Sequence, residues 1–207
     1  MSFFKRLFGS KKETTANVVQ ENKPKENSLI SKKEVEAYDK QFVVNFTKNG
    51  GKFIYTLDLT AINEALSNII TENQWLDAGC SDANLNHLLK DRSLNLTKEF
   101  LGQDFVFVPC EYLVADTGAI VFSSRQLGEN RMDKLPDNFI IYSRTSQLVR
   151  NLDEAMRSLK NKYKNNFPSN ITTLKTFSAI NNEDTDFRNY GSVSKNVYLL
   201  LLEDLQT

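Results

Sequence analysis

Histidine is nearly absent from the sequence, because His87 is the only one in 207 residues. One histidine supplies neither a three-histidine metal site nor, without close partners, a Ser-His-Asp catalytic set. The segment NLNHLLK around it favours a helix. We therefore interpret His87 as a surface or capping residue.

Cysteine is almost as scarce, with Cys80 and Cys110 alone. Two cysteines do not form a disulfide framework in a chain of this length, and without CxxC spacing they indicate neither a zinc site nor an iron–sulfur site. We interpret both as small buried apolar side chains. The sequence also lacks a G-x-G-x-x-G turn and a P-loop, so we expect no nucleotide bound at such motifs, no metal and no cofactor.

Neither an excess of charge nor a long apolar run occurs in the chain. The 26 basic residues balance the 26 acidic residues, whereas a protein that neutralises phosphates needs a basic excess, so we expect no nucleic-acid partner. No run of about 18 apolar residues is present, and the first residues lack the apolar core of a secretory signal. These absences predict a cytoplasmic protein with reduced thiols.

The length suits one domain with a tail. We predict a flexible tail over residues 1–33 and an ordered domain over residues 34–207. The tail begins with a basic amphipathic segment, whose apolar residues are Phe3, Phe4, Leu7 and Phe8 and whose basic residues are Lys5, Arg6, Lys11 and Lys12. Residues 1–12 either make weak contact with a membrane surface or a partner, or form a frayed terminus whose aromatic side chains pack on the domain.

The ordered domain is predicted to begin with a helix. Val35, Tyr38 and Phe42 recur with Phe46 at helical spacing, and the Gly50–Gly51 pair would end the helix. The segment QFVVNF within this region also fits a strand, and the sequence alone leaves both interpretations open.

Strands and helices then alternate along the chain. We predict a helix with Thr60 as its N-cap and another helix from Leu148 to Leu159. The predicted strands cover residues 52–56, 104–110, 118–124, 138–143, 171–177 and 197–205. This alternation, with nearly continuous apolar strands, predicts an α/β fold whose mostly parallel sheet is covered on both faces. The strands at 104–110, 118–124 and 138–143 lack long helices between them and suit an antiparallel or mixed section.

A carboxylate, a hydroxyl and a glycine stand directly before one predicted strand, at Asp116, Thr117 and Gly118. Either they form a turn in which the Asp accepts bonds from its own backbone, or the turn holds an anionic ligand, since glycine permits close approach. Arg125 and Arg131 follow in a loop that we expect near this turn. A guanidinium fork suits a carboxylate or a phosphate.

Glu111 directly follows the predicted strand that ends at Cys110. A glutamate at a strand end is commonly solvated or ion-paired, but it can also act as a base or nucleophile. Glu111 and Asp116 are the two weak catalytic candidates that the sequence offers.

The order of several motifs in this sequence resembles the order found in the LUD-domain family of lactate-utilisation proteins. The matching elements are Ala115-Asp116-Thr117-Gly118, Gly128, Arg131 and Leu135-Pro136, followed by a strand and a helix. The segment NGGKFIYTLD also resembles the family's N-terminal part, so the resemblance covers most of residues 38–204. The family's usual C-terminal pattern, with its Asp and terminal His, is replaced here by YGSVSKNVYLLLLEDL.

The resemblance implies the α/β three-layer sandwich shared by sugar-phosphate isomerases, glucosamine-phosphate deaminases and CoA transferases. It also implies a role in lactate utilisation beside the iron–sulfur subunits of an L-lactate-oxidising system. In relatives with this fold, a glutamate placed like Glu111 can act as a nucleophile or base. Because Arg131 occupies the family's arginine position, we favour it over Arg125 as an anion ligand.

We therefore expect an accessory or assembly subunit without catalytic activity of its own. Its shallow site for a carboxylate or phosphate would comprise Asp116, Thr117, Gly118 and Arg131. The alternative is an enzyme of the isomerase, deaminase or acyl-CoA-transfer type that acts on a phosphorylated or carboxylate small molecule through Glu111 or Asp116. That alternative requires a pocket in which one of these carboxylates has a raised pKa. Exposed strand edges favour a homodimer.

Overall fold

The computed structural model describes residues 38–90, 92–177 and 193–205. The predicted tail over residues 1–33, together with its amphipathic start, lies outside these ranges. So does the part of the first predicted helix that precedes residue 38.

Helices and strands alternate through the described ranges. The helices are α1 (residues 38–48), α2 (Leu59–Asn73), α3 (Ala83–Leu89), α4 (Ser124–Leu127) and α5 (Leu152–Tyr163). The strands are β1 (Lys52–Thr56), β2 (Asp77–Gly79), β3 (Asn95–Thr97), β4 (Phe105–Pro109), β5 (Tyr112–Val114), β6 (Ala119–Ser123), β7 (Asn138–Arg144), β8 (Leu148–Val149), β9 (Ile171–Leu174) and β10 (Asn196–Leu202). Among these described helices, none has the length and apolar character needed to cross a membrane.

A six-stranded sheet forms the centre of the fold, with strand order β1-β10-β7-β4-β2-β3 and every neighbouring pair parallel. Its inner strands are apolar on both faces because both faces are covered. In β7, for example, Ile140 packs with the cluster that contains α2 and α3, whereas Phe139 and Ile141 pack with the cluster on the opposite face. The predicted α/β fold with a mostly parallel, doubly covered sheet is confirmed.

A second sheet of four strands, in the order β8-β5-β6-β9, covers that opposite face together with α1. Its strands also alternate: Phe122 of β6 faces the large sheet, whereas Val121 faces α5. The layers are therefore α2 and α3, the six-stranded sheet, the small sheet with α1, and α5 outside. This arrangement agrees with the predicted three-layer sandwich and adds the small sheet to it.

The predicted mixed section divides between the two sheets. β4 and β7 are parallel neighbours in the large sheet, and β6 lies in the small sheet between antiparallel neighbours. The helix predicted from Leu148 begins later, at Leu152, because Leu148 and Val149 pair with β5 as a strand. Leu148 and Val149 stand at helical spacing from Leu152, but two adjacent apolar residues also fit a short buried strand. Their pairing with β5 selects the strand over the helix.

The first predicted helix is present over residues 38–48, which resolves the helix and strand interpretations of QFVVNF in favour of the helix. It ends at a turn in which Gly50 has a φ of 90°, a conformation that glycine adopts without a steric penalty. β1 follows over the predicted residues, and the tight turn makes it antiparallel to α1. Phe42 and Phe46 of α1 are fully buried and their rings stack.

The predicted N-cap of α2 is wrong. The helix begins one residue before Thr60, and the cap is Asp58, whose Oδ1 accepts a hydrogen bond of 2.9 Å from the Ala61 backbone N–H. Asp58 has extended backbone angles, which an N-cap requires, whereas Thr60 already lies in the first turn. Both residues are favourable N-caps, so the sequence could not separate them.

We expect Asp58→Ala to lower the free energy of unfolding by about 1 kcal/mol, because it removes the side-chain acceptor at the helix N-terminus. Thr60→Ala is the matched control, and we expect a change within about 0.5 kcal/mol, since alanine has the higher helix propensity. Urea unfolding of both variants measures the difference. Equal losses for the two variants would contradict the cap assignment.

Candidate functional site

Glu111 lies at the carboxyl end of β4, two residues beyond its last residue. The edge formed by the carboxyl ends of parallel strands is where open α/β sheets usually bind ligands. The backbone N–H of Glu111 donates to the carbonyl of Val121 on β6 at 2.8 Å, which directs the chain from the large sheet into the small one. The position is therefore one where a functional carboxylate would be expected.

The Glu111 carboxylate is fully buried and accepts four hydrogen bonds. Its Oε1 accepts from the hydroxyl of Ser123 at 2.7 Å, from Nε2 of Gln126 at 2.8 Å and from the hydroxyl of Tyr163 at 2.8 Å. Its Oε2 accepts from Nζ of Lys162 at 2.8 Å in an ion pair. We call these five residues the Glu111 cluster.

Secondary structure brings the four donors to Glu111. Ser123 is the N-cap of α4 and Gln126 its N3 residue, and the two form a capping box. Lys162 and Tyr163 end α5, whose N-cap Asn151 and acidic first turn fix where the helix begins. The first turn of this helix is acidic and its last turn is basic, which complements the helix dipole. The last turn delivers a cation to the carboxylate.

The electrostatics of the cluster favour an ionised Glu111. Burial raises the pKa of its carboxyl, but the hydrogen bonds from the four donors, that of Lys162 foremost, outweigh burial and hold the pKa below its usual value. Burial lowers the pKa of Lys162, but the hydrogen bonds and charges of Glu111 and Tyr163 together outweigh burial and raise that pKa. Burial and the bond to Glu111 raise the pKa of Tyr163. All three groups therefore keep their ordinary charge near pH 7.

These bonds leave Glu111 little capacity for chemistry. Its Oε1 already receives three donors, and its side chain has no contact with solvent. A general base near pH 7 works best with a pKa close to 7, whereas the pKa of Glu111 is shifted the other way. The arrangement can hold neighbouring elements together and can fix the ammonium group of Lys162, which is half exposed.

The cysteines are placed as predicted, since both are buried. Burial raises the pKa of the Cys80 thiol and that of the Cys110 thiol to about 12, which keeps both unreactive near pH 7. Cys110 donates to the hydroxyl of Ser143 at 3.4 Å. His87 lies exposed on α3, as the sequence predicts. Across the described ranges, no group of three or more His, Cys, Asp or Glu side chains could hold a metal ion.

The Asp116–Gly118 segment forms the turn between β5 and β6, and α1 holds it. The side-chain amide of Asn45 donates to the carbonyls of Ala115 and Asp116 at 2.9 and 3.0 Å. The amide of Asn49 donates to the carbonyl of Thr117 at 2.8 Å. The turn therefore uses its backbone acceptors to bind a helix of the same domain.

Gly118 has a φ of 66°, and a Cβ at this position would overlap the backbone of Asn45 and Phe46 in α1. The glycine thus permits a close approach at this turn, whereas the approach of a ligand stays a prediction. The backbone that approaches is that of α1.

The structure separates the two predicted catalytic carboxylates. Glu111 and the Asp116 turn lie at opposite ends of the β5–β6 hairpin, roughly 15 Å apart at about 3.3 Å per residue. Arg131 binds Asp133 through two parallel hydrogen bonds of 3.0 and 3.1 Å, with 78% of its side chain exposed. Arg125 lies instead beside the Glu111 cluster, with its guanidinium 4.5 Å from the ring centre of Tyr163.

Analysis of the sequence missed the four donors to Glu111. One signal was available, because Ser123 and Gln126 have the S-x-x-Q spacing of a capping box at the end of a strand. Lys162 and Tyr163 follow Glu111 by 51 and 52 residues, and nothing local indicates that they meet it.

We expect Gly118→Ala to lower the free energy of unfolding by more than about 3 kcal/mol, because left-handed backbone strain adds to a backbone overlap. Gly102→Ala is the matched control, since Gly102 also has a positive φ, of 78°, but has no atom near the position of a Cβ. That variant should lose only about 1 kcal/mol from strain. Urea unfolding compares them, and equal losses would contradict the packing role of Gly118.

We expect Glu111→Gln to lower the free energy of unfolding by about 2 kcal/mol near pH 7, because it removes a charged acceptor from buried donors. Because the fold lowers the pKa of Glu111, the ionised side chain stabilises the fold at pH values above its usual pKa of 4.5. This stabilisation is lost as the pH falls through the lower pKa of the folded state. Urea unfolding across this range should therefore show the difference between wild type and variant shrinking toward acid pH.

The matched control is Asp133→Asn, which breaks the exposed ion pair with Arg131. It should change stability by less than about 0.5 kcal/mol at any pH, since exposed pairs contribute little. A Glu111→Gln variant as stable as this control would show that the Glu111 cluster does not stabilise the fold.

Comparisons with known proteins agree with the architecture. A family model described as LUD domain matches residues 75–202, which is more than half of the chain. The crystal structure of a DUF162 family protein from Deinococcus radiodurans matches with a TM-score of 0.59 and 15% sequence identity, and the match covers 81% of this chain and 97% of that one. No curated protein matches the chain. The chain belongs to the LUD-domain family.

Proposed function

We propose that this LUD-domain chain is an accessory or assembly subunit that binds other proteins and has no catalytic activity of its own. The observation that carries the proposal is the Glu111 carboxylate, which is buried, ionised and bound by four donors. From the family resemblance, the proposed setting is lactate utilisation in the cytoplasm, beside iron–sulfur redox subunits.

A second feature supports an accessory role. Gly79 ends β2, next to β4, where the connections of the large sheet turn in opposite directions. Ligands in open α/β folds commonly bind at such a switch point, where a glycine lets backbone and ligand approach closely. Here a Cβ on Gly79 would meet the carbonyl oxygen of Glu99 at 2.8 Å and the Phe100 side chain at 3.1 Å. The chain itself occupies the space beside this glycine.

The Asp116 turn also supports an accessory role, because the side chains of Asn45 and Asn49 bind its backbone carbonyls. The proposed anion site at Asp116, Thr117, Gly118 and Arg131 stays a prediction. A carboxylate or phosphate that bound Arg131 would have to displace Asp133 from the guanidinium fork.

The second candidate function is an enzyme of the isomerase, deaminase or acyl-CoA-transfer type. The position of Glu111 at the carboxyl edge of the large sheet favours it. Catalysis by Glu111 would require substrate to reach a side chain that has no exposed surface, and to displace donors from Oε1. The accessory role needs no such rearrangement, so it is the function that the geometry supports best.

Deletion of this chain from its own organism tests the lactate setting. We expect L-lactate-dependent oxygen consumption to fall and to recover when the wild-type chain is restored, because an oxidising complex assembles poorly without one subunit. Respiration on a carbon source that does not pass through lactate is the matched control and should not change. Unchanged lactate oxidation in the deletion strain would contradict this part of the proposal.

The purified full chain tests the accessory role itself. Assays with sugar phosphates, amino-sugar phosphates and acyl-CoA with a carboxylate acceptor should show no turnover above a blank. Turnover that Glu111→Gln abolishes, in a variant shown to be folded, would favour the enzyme instead.

A further inference from the structure

Three exposed leucines lie at the carboxyl edge of β1 and β10. Leu57 is 47% exposed, Leu59 is 52% exposed and Leu205 is 40% exposed. The two strands are parallel neighbours that end together, and the backbone N–H of Glu203 donates to the carbonyl of Thr56 at 2.9 Å. The three leucines follow directly after this joined end, and we call them the leucine surface.

Acidic side chains surround the leucine surface. Asp58 stands between two of its leucines, and Glu203 and Asp204 lead to the third. Arg144, at the end of the neighbouring β7, is exposed and lies close enough to Asp204 to interact with it electrostatically. Three carboxylates against one guanidinium give the surface a negative balance, which favours a basic amphipathic partner.

The described chain begins beside this surface. Because α1 is antiparallel to β1, its first turn lies level with the carboxyl end of β1, where Asp39 is buried. The charge of Asp39 acts on Tyr55, in addition to the burial of Tyr55 and its 2.6 Å bond to Glu203. Residue 38, where the described chain begins, therefore lies at the edge that carries the leucine surface.

We propose that residues 1–12 of this chain bind the leucine surface of the same molecule. This segment has four apolar residues, Phe3, Phe4, Leu7 and Phe8, and four basic ones, Lys5, Arg6, Lys11 and Lys12. Its composition complements leucines within an acidic rim. The 25 residues from 13 to 37 span up to about 85 Å when fully extended, so their length does not limit the contact.

Disulfide trapping in the full chain tests the contact. Ser10→Cys is combined with Thr60→Cys, next to Leu59, and the native Cys80 and Cys110 are buried and do not compete. The control pair combines Ser10→Cys with Ser93→Cys, an exposed residue near Leu76, which is 61% exposed at the opposite edge of the sheet. Under mild oxidation we expect the test pair to cross-link within one molecule at least about five times faster than the control pair, because binding raises its effective concentration.

A second pair of changes separates binding from mere proximity. Leu57→Lys with Leu59→Lys replaces two exposed apolar side chains and cancels the net negative charge of the leucine surface. In this double-lysine background the test pair should cross-link no faster than the control pair. Without the lysine substitutions, high salt should slow the cross-linking of the test pair. Equal rates for both pairs in the original background would overturn the proposal. Equal rates together with flotation of the full chain on anionic vesicles would assign residues 1–12 to a lipid surface instead.

Discussion

The Glu111 carboxylate connects parts of the fold that backbone pairing leaves separate. It follows β4 of the large sheet, and its donors lie on β6, on α4 and at the end of α5. A buried carboxylate without partners would destabilise the protein strongly, so all four donors must be in place for the layers to close over it. Because Lys162 remains half exposed, only one partner of the ion pair loses most of its hydration.

Packing and polar bonding have different consequences here. The interior between the two sheets is apolar and contains several fully buried phenylalanines, including Phe139 of the large sheet and Phe122 of the small one. Such burial is strongly stabilising but weakly directional, so it would allow the small sheet to shift over the large one. The Glu111 cluster and the bonds from Asn45 and Asn49 to the β5–β6 turn act at opposite ends of the hairpin. Together they set its position and its direction.

Sequence analysis predicted β1, β4, β7 and β10 of the large sheet, because strands buried on both faces have nearly continuous apolar runs. It did not predict β2 and β3, which have only three residues each. It did not find the small sheet as a separate unit, since β8 has only two residues and owes its strand conformation to pairing with β5. Of the Glu111 cluster, sequence analysis identified only Glu111 and missed its four donors. Glu111 lies 12 residues from Ser123 and 51 from Lys162, and only the fold brings these side chains together.

The same arrangement explains why stability and catalysis compete at Glu111. A catalytic base in this position would need an open side chain and a pKa raised toward 7, which burial without a cation can produce. Here the ammonium of Lys162 and three neutral donors act in the opposite direction and lower the pKa. Removing them to expose the carboxylate would also remove the bonds that hold α4 and α5 against the sheets. A chain that keeps these bonds holds α4 and α5 in place and gives up a reactive glutamate.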